Sequence, residues 1–118
     1  MSDEQGRFAI GVIGAGMGAK PHALALQSLS DTINVLGVYR RNRAELDSFC
    51  STYGFPAAES YEALLADPRL DAVLVLTTPN AREEIVAAAA AAGKHVLLEK
   101  PVERSVAAAE RIVAMCDA

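Results

Sequence analysis

Apolar residues come in short runs, cut by glycine, proline and polar turns, and the runs alternate between two periods. Phe8-Ala-Ile-Gly-Val-Ile13 is apolar at successive positions, as a strand buried on both faces of a parallel sheet requires; the strand is placed at about Arg7 to Ile13. A helix is expected from near Met17 to Leu29, with Ala23, Leu24, Leu26 and Leu29 as its apolar face. Pro21 falls in its first turn, where a missing N–H costs little. Ile33–Tyr39 is rich in β-branched residues and predicts a second strand. Ala44 to Tyr53 carries Leu46, Phe49 and Cys50 at helical spacing, with Gly54 as its stop. Pro56–Ala58 predicts a short strand, and Ser60 caps a small helix that ends before Asp67-Pro68.

The second half repeats the alternation. Asp71 to Thr77 predicts a third strong strand and Thr78-Pro79-Asn80 a turn. A helix follows from Ala81 to Ala92, for which Asn80 and Glu83 have the spacing of a variant capping box. Its six consecutive alanines, Ala87 to Ala92, suit close packing on a sheet, and Gly93 ends it. His95 to Glu99 is a further strand. Ser105 or a neighbour caps a last helix to Cys116, with Val106, Ala109, Ile112, Val113 and Cys116 on one stripe.

Strands alternating with helices predict an α/β fold, a doubly wound and mostly parallel sheet with helices on both faces. Residues 7–118 make one such domain behind a polar tail, residues 1–6. In these sheets ligands bind beyond the carboxyl ends of the strands, where the strand order switches. Gly14–Gly18, Tyr39–Arg43, Thr77–Asn80 and Glu99–Pro101 all fall at those ends.

The composition narrows the partners. A hydrophobic content of 52% supplies a core and excludes disorder. The net charge of −4 argues against a nucleic-acid partner, which needs a basic face. No apolar run is long enough to span a membrane, and the polar start is unlike a signal peptide. Cys50 and Cys116 stand alone, without C-x-x-C or a nearby histidine, and read as free thiols of a cytoplasmic protein without a metal site.

The candidate chemistry lies in the first turn. Gly14 and Gly16 give G-x-G, and Ala19 fills the third place of G-x-G-x-x-G/A. Gly14 permits a tight turn, Gly16 lets a pyrophosphate approach the backbone, and a small third residue lets the helix pack close. Met17 and Gly18 complete the loop, and the helix that follows directs N–H groups at the anion. Dinucleotide sites for NAD place an acid at the end of the second strand, for the ribose 2′-hydroxyl. Here Tyr39-Arg40-Arg41 stands there, with no carboxylate. An arginine pairs with a 2′-phosphate in a bidentate way, so NADP(H) is favoured over NAD(H), with Arg40 and Arg41 as readers. Alternatively, the arginines form a solvated charge cluster at a helix start.

Three stretches together resemble the Gfo/Idh/MocA oxidoreductases: Gly14 to His22, Thr78-Pro79-Asn80, and above all Ala92-Gly-Lys-His-Val-Leu-Leu-Glu-Lys-Pro101. The resemblance runs from Phe8 to the last helix. It implies the Rossmann domain of a two-domain NAD(P)-dependent dehydrogenase or reductase acting on sugars, cyclitols or similar polyols and their keto forms. It also implies that Thr78, Pro79 and Asn80 line the cofactor. By the same resemblance Lys100 would lie beside the nicotinamide and substrate hydroxyl as the catalytic lysine, and Glu99 would touch the nicotinamide ribose or pair with Lys100. His22 matches a histidine common in the family and is given no catalytic role. The family often has a histidine where this chain has Glu83.

The family's second, substrate-binding domain has no counterpart in these 118 residues. The chain is therefore expected to be a fragment of a larger enzyme. Alone it is expected to lack turnover and to associate with itself, as an oligomer, through the surface left uncovered. Two other functions compete. One is a non-catalytic dinucleotide-sensing or interaction module. The other is an S-adenosylmethionine-binding methyltransferase domain, against which the Arg40-Arg41 strand end argues.

Overall fold

The computed structural model describes residues 7–14, 19–77, 79–98 and 106–117. Four parallel strands form one sheet: β1 (Phe8–Ile13), β2 (Ile33–Tyr39), β3 (Ala72–Val75) and β4 (His95–Leu98), in the spatial order β2-β1-β3-β4. The helices are α1 (Ala19–Ser28), α2 (Arg43–Tyr53), α3 (Tyr61–Leu65), α4 (Pro79–Ala91) and α5 (Val106–Asp117). The chain leaves β1 toward one side to make β2, then returns to the other side for β3. The order of strands therefore switches between β1 and β3.

Both faces of the sheet are covered over β1, β2 and β3. Val12, Val35, Val38 and Leu74 pack with Leu26 of α1 and with Leu46 and Cys50 of α2. Ile13, Val73 and Val75 pack on the other face with Leu64 and Leu65 of α3 and with Ile85 and Ala89 of α4. That double burial explains why the strands read as continuous apolar runs instead of alternating ones. The register of β1 on β2 shifts between Ile10 and Gly11: Ile10 faces Val35 but Gly11 faces Gly37. The extra residue, Leu36, lets Val35 and Val38 share one face although they are three apart.

Some expected boundaries and faces move. The Pro56–Ala58 strand is reduced to one parallel bridge, Val38 to Ala57. Among the described side chains of α1, Ala23 and Leu26 are buried, while Leu24, and Leu29 just past the helix end, are exposed. Each is separated from the buried pair by about 100° of helical rotation or by the end of the helix. The α5 stripe is also not a buried face: Ile112 is buried, but Val106 is 75% and Val113 54% exposed, and Cys116 is exposed. Leu97 of β4 is 63% exposed as well.

The helix stops follow the sequence. Gly54 ends α2 in the left-handed conformation, its N–H bonded to the Cys50 carbonyl. After α4 the N–H groups of Gly93 and Lys94 return to Ala90 and Ala89. Asn42 caps α2 through the Glu45 N–H, and Ser60 caps α3 through the Ala63 N–H. The bounds of α4 do not match the capping-box spacing of Asn80 and Glu83. The helix begins at Pro79, so Asn80 lies inside its first turn. The Glu83 carboxylate instead holds Arg111 of α5 by two hydrogen bonds of 3.0 Å, from Nε and NH2. That fork joins α4 to α5 and lowers the Glu83 pKa.

Candidate functional site

The switch point is built from the carboxyl ends of β1 and β3. Gly14 follows β1 directly and has φ +88°, a conformation that side chains disfavour. Its N–H donates to the Tyr39 carbonyl at 2.7 Å. A Cβ at Gly14 would lie 2.7 Å from the Thr77 backbone nitrogen and 2.8 Å from its Cγ2. The glycine turn is therefore pressed against the end of β3 on one side and tied to the end of β2 on the other.

Two features of this crevice suit a dinucleotide. At Gly14 the chain approaches the end of β3 more closely than any residue with a Cβ allows. The buried Thr77 hydroxyl has no hydrogen-bond partner among the described residues, an unmet polar group of the kind that marks a functional position. Beside it Arg82 of α4 is 3% exposed and donates from Nε to the Thr77 carbonyl at 3.1 Å. A buried guanidinium thus braces the strand end. Sequence reasoning missed Arg82, because a basic residue in the first turns of a helix reads as solvated.

Arg40 and Arg41 begin one residue beyond the Tyr39 carbonyl that receives the Gly14 N–H, so the arginine pair is held next to the glycine turn by the β1–β2 register. Arg41 is exposed. Arg40 is half-buried and forms an ion pair with Glu45 in the first turn of α2. Arg43, the third basic residue, pairs one helical turn ahead with Asp47 at 3.1 Å, and so belongs to the helix surface. The Tyr39 ring turns to the other face of the sheet and meets Tyr61, centroids 6.1 Å apart. The Tyr61 hydroxyl donates to Glu84. Burial first, then the bond to Glu84, raises the Tyr61 pKa.

Pro79 and Asn80 lie in the first turn of α4, directly beyond Thr77. Gly16, Met17, Gly18, Thr78, Glu99 and Lys100 lie outside the described residues. Lys94, part of the Gly-Lys-His stretch, is far from this crevice. Its ammonium donates to the Asp67 and Leu70 carbonyls at 3.2 and 2.8 Å, tying the start of β4 to the loop before β3. Among the described residues no three His, Cys, Asp or Glu side chains converge as metal ligands, and no helix is long and apolar enough to cross a membrane. The two cysteines are unbonded, and burial, with the charge of Asp47, raises the Cys50 pKa. A separate groove of about 430 Å³ opens at the amino end of the sheet, lined by Arg7, Leu26, Gln27, Tyr53 and Phe55 among others.

The sequence model of an oxidoreductase family with an NAD-binding Rossmann fold, Gfo/Idh/MocA, matches residues 8–118. The chain belongs to the Gfo/Idh/MocA oxidoreductase family. A myo-inositol 2-dehydrogenase from Thermotoga maritima is 36% identical over 106 residues, 88% of this chain and 32% of its own length. An NADP(+) D-xylose 1-dehydrogenase from Haloferax volcanii is 38% identical over 97 residues, covering 80% of this chain and 29% of its own. Among solved structures, the 3-ketoreductase KijD10 of Actinomadura kijaniata, in complex with NADP and TDP-benzene, superposes with a TM-score of 0.83 at 31% identity, over 94% of this chain and 34% of that one. The chain thus spans about a third of the length of these Gfo/Idh/MocA relatives, the third that is their NAD-binding Rossmann domain.

Proposed function

We propose that this chain is the cofactor-binding domain of an oxidoreductase that moves hydride to or from a sugar, cyclitol or similar polyol and its keto form, with NADP(H) preferred over NAD(H). One observation carries the reading: the Gly14 turn, bonded to the end of β2 and pressed on Thr77, sits at the strand-order switch with Arg40 and Arg41 beside it. The dinucleotide supplies the hydride-accepting or hydride-donating ring. The Gly14 turn receives the pyrophosphate, and Arg40 and Arg41 take the 2′-phosphate. Thr77, Pro79 and Asn80 face the cofactor from the β3 side. In the resemblance Lys100 orients the substrate hydroxyl and assists its proton transfer, with Glu99 beside it. The inositol and D-xylose dehydrogenases and the 3-ketoreductase among its relatives support the substrate class. The NADP in KijD10 supports the cofactor.

Calorimetric titration with NADPH and NADH tests this. NADPH is expected to bind more tightly, and Arg40→Ala or Arg41→Ala to weaken it about tenfold, the worth of a charged hydrogen bond to phosphate. NADH affinity is expected to stay the same in both variants. Tighter binding of NADH by the unaltered chain would contradict the role of the arginines while leaving the oxidoreductase reading in place.

A further inference from the structure

Arg40 already has a counter-ion inside the protein. Asn42 caps α2, so Glu45 occupies the third position of the helix and its N–H is fixed on the Asn42 side chain. A carboxylate there is favoured by the positive end of the helix dipole. It could reach back toward the cap, as Asn-x-x-Glu spacing allows. Instead it forms an ion pair with the Arg40 guanidinium, and the two side chains are 28% and 52% exposed. The pair lies at the place where the 2′-phosphate is read.

We propose that Glu45 is a specificity-determining residue: it competes with the adenosine 2′-phosphate for Arg40 and so narrows the preference for NADP(H) over NAD(H). This rests on the dinucleotide reading above. A 2′-phosphate carries close to two negative charges and takes a guanidinium in a bidentate grip. It must first break the Arg40–Glu45 pair. A neutral 2′-hydroxyl does not meet that obstacle. Arg43 cannot draw Glu45 away at no cost, because it is engaged with Asp47. Arg41, exposed, is left as the arginine that a phosphate reaches without displacing Glu45 from Arg40. A partly exposed ion pair shifts an equilibrium by up to about fivefold, so Glu45 acts as a brake on preference and not as a block.

The test is a double-mutant cycle read by calorimetric binding of NADPH and NADH to the unaltered chain, Glu45→Gln, Arg40→Ala and the double variant. Glutamine keeps the size of the side chain and the Asn42 cap. Glu45→Gln is expected to raise NADPH affinity about three- to fivefold and to leave NADH affinity within about twofold. In the Arg40→Ala background the same change is expected to gain nothing. An equal gain in both backgrounds would overturn the inference, since the carboxylate would then act on the phosphate directly. A loss of NADH affinity in Glu45→Gln would overturn it too, by making Glu45 a reader of the ribose hydroxyl, and so would an unchanged NADPH affinity. If the unaltered chain takes up neither dinucleotide at millimolar concentration, the dinucleotide reading itself fails, a result separate from binding that ignores Glu45.

Discussion

Gly14→Ala is expected to destabilise the domain by about 2–5 kcal/mol and to abolish dinucleotide binding by whatever remains folded. Two costs add. Gly14 has φ +88°, where a Cβ is strained, and that Cβ would lie 2.7 Å from the Thr77 backbone nitrogen. The second contact cannot be relieved by a side-chain rotation, because its partner is backbone in a strand end. Gly54 provides the control. It has φ +76° but nothing within 4 Å of a built Cβ, so Gly54→Ala pays only the conformational term, about 1 kcal/mol. A domain of this size is stable by about 5–15 kcal/mol, so the first variant is expected to lose a large share of its urea midpoint and the second little. Equal losses for the two would mean that the turn does not press on β3.

Asp71→Ala is expected to cost about 1–3 kcal/mol without changing cofactor affinity. Asp71 is buried at the amino end of β3, opposite the crevice. Its Oδ2 accepts the Ala9 N–H at 2.8 Å, while its own N–H and carbonyl bond to Ala9 and His95. Removing the carboxylate strands a donor on a fully buried residue, Ala9. Burial pushes the Asp71 carboxyl up, but contacts that favour its charged form, the Ala9 N–H the largest of several, outweigh that and leave its pKa lowered. A lowered folded value stabilises the protein above the unfolded value, about 3.9 for aspartate. That stability is lost as the pH falls through the folded value. Asp71→Asn, which can still accept the Ala9 N–H, is therefore expected to fold at neutral pH and to show a shallower loss of stability in acid. Urea unfolding across pH 2–7 measures both. An unchanged acid limb in Asp71→Asn would contradict the role given to the charge.

Element types were legible in the sequence because the sheet is parallel and buried on both sides. Runs such as Ile33–Tyr39 carry no competing helical period, and β2 has those bounds. Faces were harder to read. Leu24 lies in α1, and Leu29 just past its end, while the buried stripe among the described side chains of that helix is Ala23 and Leu26; periodicity does not reveal how narrow a stripe the sheet covers. Val106 and Val113 keep the spacing of a core face but stay exposed, because, among the described large apolar side chains of α5, its neighbours bury Ile112 and leave those two uncovered.

The candidate site divides in the same way. Gly14 and the arginine pair were visible as motifs. That Gly14 touches Thr77 follows only from β1 lying beside β3, which is strand order and not spacing. The partners of charged side chains were least visible. Glu83 reaches Arg111, 28 residues on, where the local pattern suggested Asn80. Glu45 has a capping-box spacing yet turns to Arg40. Lys94 sits in the most family-specific stretch and serves as a clamp at the far end of the sheet. Tertiary packing, and not sequence spacing, selects each of these partners.

The most direct test of the central claim is to map NADPH on the ¹⁵N-labelled chain by NMR. The amide resonances of Gly14, Tyr39, Arg40, Arg41 and Thr77 are expected to shift together and saturably, while Lys94, Asp71 and the groove of Gln27 and Phe55 stay still. Shifts confined to that groove, or none at all at millimolar NADPH, would contradict a dinucleotide site at the β1–β3 switch.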